Sequence, residues 1–416
     1  MKISINFIFK LNIICLIILS FFIDIYRSNS FLSIFLQNIL SLNLTSFKIA
    51  REFFLFLLIL PPILYRILNG IQKYNKKFFI FIFFISILLS ITSIINFANL
   101  EILNYLFYFK WVFPFLLSLA YINSNFLLEN KKFFLRLIQI VLIIILFFSL
   151  ENLFSFCPRS RCSSLFFGPH SLAFNSLSCI LISYKILGKE LFSKNYLYIY
   201  IISSFQILIS ISATNILGLF VFSLPFFISA NKNIISFKLK KSILFGAIIS
   251  SPIMIYYFIQ LSSRGAFDLT SELYQMSGAE RVNLFLRSFY NADGSLNLFG
   301  RPGVFTNIGR IYSAYFGEYT DSIYTSLVGN LGIIILPILL IIIFIVLSNY
   351  LILLKNSFKI SGLKYVNNSL IILSILASGI GTNIFEVIPF FPILACIIFS
   401  KTHNIELSYK NNYLKK

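Results

Sequence analysis

Charge is scarce in this sequence: of 416 residues only 12% are Asp, Glu, Lys or Arg, while 58% are apolar. A soluble domain carries about 25% charged residues, so this chain lacks the polar surface needed to stay in water, and lipid is its expected solvent. Acidic residues are the scarcest, 14 against 34 basic ones, for a formal net charge of +20. Histidine is limited to His170 and His403, which excludes a histidine-built metal centre. No Asp-x-Asp pair is present to hold a divalent ion against a nucleotide sugar, and no Gly-rich loop leads into Lys-Ser or Lys-Thr to bind ATP phosphates. Neither a metal nor any other cofactor is expected. Internal repeats and Pro-rich or charged linkers are also missing, so 1–416 reads as a single membrane domain.

What the chain does have is a succession of apolar runs, with a mean hydropathy of +0.89 and 51 Phe. A helix needs about 20 apolar residues to cross ~30 Å of hydrocarbon. Twelve spans are predicted, at 11–24, 53–69, 78–97, 105–124, 134–152, 169–187, 196–212, 214–230, 242–261, 326–350, 367–384 and 387–400. Barrel strands would alternate apolar with polar residues, whereas these runs are apolar all round, so the expected fold class is an all-α polytopic membrane protein. The stretch FLSIFLQNILSLNL within 28–47 is too interrupted by Gln37, Asn38 and Asn43 to span, and reads as an interfacial or re-entrant helix. Lys2 and Lys10 ahead of the first run resemble a secretory signal, but no small-x-small cleavage site follows, so a retained span is expected.

Loop charges orient this layout independently of hydropathy. One side collects 23 of the 34 cations, including Lys76, Lys131, Lys185, Lys240 and Lys364, against only Glu129, Glu190 and Glu406. The other side is balanced, with 11 of each sign, so the whole excess lies on one face. The positive-inside rule makes that face cytoplasmic, with both termini inside. The basic charge is thus a topology signal, and no nucleic-acid partner is expected.

One connection differs from the rest. Residues 262–325, between spans nine and ten on the outer side, hold aromatic residues, Leu and turn-making Gly throughout, and are expected to fold as a periplasmic cap. Nine of the eleven Arg lie outside, five of them in this loop, while outer Lys is limited to Lys48 and Lys110. Lys suffices for topology, so outer Arg asks for a use of the planar fork that binds phosphate or carboxylate bidentately. Pairing with the loop's own Asp268, Glu272, Glu280, Asp293, Glu318 and Asp321 is the competing explanation.

Three stretches carry a resemblance to a known family. RCSSLFFGPHSLAFN from Arg161 has an Arg, an aromatic-Gly pair and a Pro, with His170 where the family has Asn. SGAERVNLF from Ser277 and LFGRPG from Leu298 place a Gly-proximal Arg before a Gly-x-x-Gly turn. TDSIYTSLVGNLGIIIL from Thr320 sets an Asp ahead of Tyr and Gly at the entry to span ten. Together with the large loop after span nine, these resemble the O-antigen polymerase and ligase superfamily of bacterial inner-membrane glycosyltransferases. ISATN from Ile211 departs from it by lacking Ser-Arg. The loop has no His, which ligases commonly place there, whereas Asp321 followed by Tyr324 suits a polymerase.

The resemblance implies transfer of a growing glycan from polyprenyl diphosphate to a hydroxyl of the next lipid-linked repeat, without a metal. Departing diphosphate needs fixed cations, and Arg281, Arg161, Arg301 and Arg310 are the candidates. Asp321, Glu318 and His170 are candidates for orienting or deprotonating the acceptor, with Tyr324 as a substrate contact. Helix capping by Asp321, a structural hydrogen bond at His170 and lipid anchoring by Arg161 are the alternative roles. Cys157 and Cys162 flank PRSR in an outer loop, where a disulfide or two free thiols are both open. The expected partners are lipid-linked glycans, the bilayer and other polysaccharide-assembly proteins. The competing function classes are the ligase and a lipid-linked oligosaccharide flippase, although the two related halves and midplane ionisable groups of a transporter are not evident.

Overall fold

The computed structural model describes residues 2–27, 44–62, 64, 113, 114, 116–118, 120–122, 124–154, 169–210, 212–230, 283–291, 293–301, 322–357, 366–384, 387 and 389–400. The principal helices there are α1 (Lys2–Arg27), α2 (Leu44–Leu57), α3 (Lys131–Phe154), α4 (Pro169–Leu187), α5 (Leu197–Ile209) and α6 (Ala213–Ala230), then α7 (Ile323–Leu331), α8 (Ile335–Ser357), α9 (Asn368–Ser378) and α10 (Phe390–Ile398). Strand pairing among the described residues is confined to one bridge, Tyr290 with Leu296. Four stretches are long and apolar enough to cross a membrane: Ile5–Ile25, Lys131–Leu150, Pro169–Phe192 and Ile335–Ser357.

The outward faces of these helices identify their solvent. On α1, Ile5, Phe9, Ile13 and Leu16 are buried, yet Phe7, Leu11, Ile14 and Ile18 are exposed. On α3, Ile140, Ile143 and Phe147 point outward, and on α8 so do Leu340, Ile341 and Phe344, the last 72% exposed. A water-facing helix would carry polar residues there; an apolar outer stripe suits hydrocarbon. The protein is a membrane-embedded, largely helical protein.

At its centre lies α4, with 15 of 19 residues buried. It packs against α3, α5, α6, α9 and α10. Polar side chains help to join these neighbours: Ser176 Oγ donates to Gln206 Oε1 of α5 at 2.8 Å, and Gln206 Nε2 donates to the Leu142 carbonyl of α3 at 3.4 Å. Phe174 meets Phe391 of α10, and Tyr184 meets Phe222 and Phe226 of α6 edge-on. Between α6 and α9 the approach is closest at Gly218, where a Cβ would fall 2.1 Å from Ser378 Oγ. Small residues let helices meet where lipid offers no hydrophobic driving force, and the hydroxyls of Ser374 and Ser378 bond within their own helix.

The start of α3 lies beside the start of α1, since Asn6 Nδ2 donates to Glu129 Oε2 at 3.0 Å and Lys10 Nζ stands 5.8 Å from the Phe133 ring centre. The starts of α4, α6 and α7 share the other side with the end of α9.

Prolines interrupt the intrahelical ladder, and neighbouring helices take up what they release. Pro225 inside α6 has no N–H for the Val221 carbonyl four residues earlier, and that oxygen accepts the Tyr350 hydroxyl of α8 at 2.8 Å. Pro61 and Pro62, just beyond α2, likewise leave the Leu57 and Leu58 carbonyls. These accept from Asn12 Nδ2 of α1 at 3.1 Å and from the Tyr121 hydroxyl at 2.7 Å. Each is a solution to the rule that backbone polar groups in hydrocarbon must be satisfied within the protein.

Several expected boundaries move. The second span, expected to begin at 53, has its helix from Leu44; after a turn at 58 and 59, residues 60–62 and 64 are again helical, and 65–69 fall outside the described residues. Part of the supposed interfacial stretch therefore belongs to α2, and Lys48 and Arg51 lie on that helix rather than in a loop. Arg51 pairs with Glu52 at 2.7 Å. The tenth span, expected as one helix over 326–350, is broken at Gly332, whose φ of 82° favours glycine. Pro337 is tolerated because it falls in the first turn of α8. The eleventh and twelfth spans contain helices of only 11 and 9 residues, about 17 and 14 Å at 1.5 Å per residue. Residues 379–384 continue α9 largely as turns. Lys185, assigned to a cytoplasmic loop, is buried in the last turn of α4, where Nζ donates to Asn368 Oδ1 and to the Ile398 carbonyl, each at 2.7 Å. It thereby holds the start of α9 and the end of α10 together. Cys15, Cys179 and Cys396 lie in helices as free thiols, whereas Cys157 and Cys162 fall outside the described residues, as do the expected spans at 78–97 and 242–261.

The proline contacts generate a double-mutant test. Tyr350→Phe is expected to destabilise the protein by about 1–3 kcal/mol, the cost of leaving a buried carbonyl unpaired. In a Pro225→Ala background, which restores the missing N–H, the same substitution is expected to cost much less. Thermal unfolding in detergent, followed by loss of the monodisperse size-exclusion peak, measures both.

Candidate functional site

The described part of the candidate site is built where the N-terminal ends of α4, α6 and α7 meet the turns after α9. Pro169 opens α4 with its φ already suited to a helix, which sets His170 in the first turn. There His170 Nδ1 lies 2.9 Å from Ser212 Oγ, in the hairpin between α5 and α6. Ser212 also accepts from Asn215 Nδ2 at 2.7 Å, and the same amide nitrogen donates to Thr382 Oγ1 at 2.9 Å. Next to Thr382, Asn383 Nδ2 donates to Ser326 Oγ of α7 at 3.1 Å. This polar chain crosses four parts of the bundle, and Ser212, Asn215, Thr382, Asn383 and Ser326 are all buried.

The entry to α7 is fixed from two directions. Ser322 caps the helix by accepting from the Tyr324 N–H, and the Ile323 N–H reaches across to the Gly379 carbonyl at 2.9 Å. The cap that was the alternative role for Asp321 is thus supplied by the next residue. Tyr324 donates its hydroxyl to the Leu376 carbonyl of α9 at 2.9 Å, a helix-to-helix tie that competes with a substrate contact.

Residues 283–301 are the described part of the long connection 262–325, expected to lie outside. A helical turn at 283–287 leads into a hairpin closed by the Tyr290–Leu296 bridge. Its tip contains Asp293, whose carboxyl is held below its usual range by hydrogen bonds from the Ser295 hydroxyl and then the Ser295 N–H. Asp293 is therefore engaged in its own turn. The loop docks on the break between α7 and α8 almost backbone to backbone. A Cβ on Gly300 would meet the Asn330 carbonyl at 2.2 Å, and one on Gly332 would meet the Leu298 carbonyl at 2.1 Å. Buried Asn297 donates to the Ser288 and Gly329 carbonyls, and the Arg301 N–H bonds to Gly329 O at 2.8 Å. The Arg301 guanidinium donates through Nη2 to the Tyr290 carbonyl at 3.0 Å.

Of the residues singled out from sequence, His170, Arg301 and Tyr324 are therefore placed on the same end of the bundle, each with a protein hydrogen bond of its own. Arg161, Arg281, Arg310, Glu318 and Asp321 lie outside the described residues. Sequence reasoning overlooked the neutral residues that connect the three placed ones: Ser212, Asn215, Asn297, Ser326, Thr382 and Asn383. For four of them the signal was present in the small-polar clusters SATN and GTN at span ends, but without charge these read as ordinary turn chemistry. Among the described residues there is no group of three or more His, Cys, Asp or Glu suited to a metal ion. No family model, curated protein or solved structure matches the chain.

Asn215 is the joint of this network. Asn215→Leu, which keeps the approximate volume and removes both hydrogen bonds, is expected to cost about 1–3 kcal/mol. His170→Asn should be milder than His170→Ala if the Ser212 contact is what the residue supplies. Thermal stability in detergent ranks all three.

Proposed function

We propose that this chain is a polysaccharide polymerase of the bacterial inner membrane, a metal-independent glycosyltransferase that joins polyprenyl-diphosphate-linked repeat units at the periplasmic face. The observation that carries the reading is convergence. The three stretches that resemble the O-antigen polymerase and ligase superfamily are far apart in sequence, yet their described parts, His170, Leu298–Arg301 and Tyr324–Leu331, lie at one end of the bundle. That end is the one the loop charges assign to the outside, with both termini and the Lys-rich loops in the cytoplasm.

In the proposed reaction the bond between the anomeric carbon of the growing glycan and its diphosphate breaks, and the polyprenyl diphosphate leaves with the electron pair. The acceptor hydroxyl of the next lipid-linked repeat forms the new glycosidic bond and gives up its proton. Arg281 is assigned to the departing diphosphate, supported by Arg161, Arg301 and Arg310, since fixed cations near a low-dielectric boundary act most strongly where charge develops. Asp321 is assigned to the acceptor proton, with Glu318, His170 and Tyr324 orienting the sugar. The substrates reach the site from the bilayer, and other polysaccharide-assembly proteins are the expected partners.

The test is the ladder of surface polysaccharide from cells lacking the chain, complemented with wild type or Arg281→Ala. A single repeat on its carrier or core in the deletion, long chains with wild type, and none with a normally expressed Arg281→Ala protein are expected. Long chains persisting without the protein would move the reading to ligation, and repeats trapped at the cytoplasmic face would move it to flipping.

A further inference from the structure

The outer-loop hairpin carries an apolar surface that neither the bundle nor the proposed chemistry accounts for. Leu286, Tyr290, Leu296, Leu298 and Phe299 are each between 42% and 54% exposed although they fall within one short segment. On a water-facing loop such a patch is a liability, and its presence marks an interaction surface.

The position of the patch indicates what covers it. The Ile333 N–H bonds to the Asn297 carbonyl at 2.9 Å and the Ile334 N–H reaches the Leu298 carbonyl at 3.5 Å, so Leu298 and Phe299 stand level with the first residue of α8. α8 has 23 residues, about 35 Å of helix, slightly more than the ~30 Å hydrocarbon core. Its outer end therefore lies at the boundary between acyl chains and headgroups. The exposed apolar stripe of α8 begins there with Ile334 and continues through Leu340, Ile341 and Phe344. The hairpin patch is thus continuous with a surface already assigned to lipid. Its opposite end is polar: Asn291, Asp293 and Ser295 close the tip with hydrogen bonds among themselves. Exposed Arg287 and half-buried Arg301 flank the apolar base, where cations suit lipid phosphates.

We propose that the hairpin around Tyr290–Arg301 is a lipid-inserted wedge, with Leu298 and Phe299 among the upper acyl chains of the outer leaflet and Asp293 in water. Its partner is the bilayer surface, as for an interfacial anchor. This inference does not rest on the polymerase reading.

The chain has a single Trp, Trp111, so depth can be read by fluorescence. In a Trp111→Phe background, Phe299→Trp and Asp293→Trp are placed in the full-length protein and reconstituted into phosphatidylglycerol–phosphatidylcholine vesicles. Emission is measured with lipid brominated near the top of the acyl chain and, separately, with acrylamide in water. The expected result is strong bromolipid quenching of Phe299→Trp with an acrylamide slope several-fold below that of Asp293→Trp, and the reverse pattern for the latter. Acrylamide access at both positions without bromolipid quenching overturns the proposal. So does shielding of Phe299→Trp from both quenchers, which would mean that protein covers the patch. If Phe299→Trp does not give a monodisperse protein, Leu298→Trp reports the same depth.

Discussion

A polypeptide in hydrocarbon has nowhere to place an unpaired carbonyl, and much of this bundle is organised by that constraint. At three prolines among the described residues, a side chain from elsewhere in the bundle supplies the donor: Tyr350 to Val221, Asn12 to Leu57 and Tyr121 to Leu58. A buried unsatisfied carbonyl costs about 1–3 kcal/mol, so these contacts fix which helices are neighbours and in what register. Each donor sits at one height along its helix, and sliding either partner by a turn would unpair the oxygen. Van der Waals packing alone, without a hydrophobic driving force between helices, would specify register less sharply.

The same constraint explains why α4 is central. It contains Asn175, Ser176, Ser178 and Ser183 among its apolar residues, a composition suited to protein rather than lipid on every side, and all four are fully buried. By contrast α1, α3 and α8 combine one packed face with one apolar outer face. The two ends of α4 then do different jobs. At one end Lys185 donates to Asn368 at the start of α9 and to the Ile398 carbonyl at the end of α10. At the other, His170 enters a chain of neutral hydrogen bonds. That asymmetry sets a lysine-pinned end of α4 against a neutral polar end.

What sequence revealed followed the physics that leaves a local trace. Apolar runs located α3, α4, α5 and α6 and the end of α1 within three residues, because burial in lipid demands length and composition together, whereas α1 starts nine residues before its predicted span. The break at Gly332 was illegible because its cause is tertiary: a left-handed glycine looks like any small residue until Leu298 is found against it. Lys185 was misplaced for a related reason, since charge counts cannot distinguish a cation in water from one paired inside a helix bundle. The short helices α9 and α10 read as full spans because hydropathy does not register that residues 379–384 turn. At the candidate site, His170, Arg301 and Tyr324 stood out by type, whereas Asn215 and Ser326 matter by position, which only the fold discloses.

The docking of the outer loop on the Gly332 break also imposes an order on biogenesis. Asn297 finds its carbonyl partner 32 residues further along the chain, at Gly329. Synthesis proceeds from the N-terminus at about 5–20 residues per second, so the hairpin leaves the ribosome before the surface that receives it. Until α7 and the start of α8 follow, Asn297 has only its partners within the hairpin, the Ser288 and Phe289 carbonyls, and the Arg301 N–H lacks the Gly329 carbonyl. Docking of the hairpin therefore waits for α7 and the start of α8, and the entry to α7 in turn waits for α9 and the residue after it, since the Leu376 and Gly379 carbonyls accept from Tyr324 and Ile323.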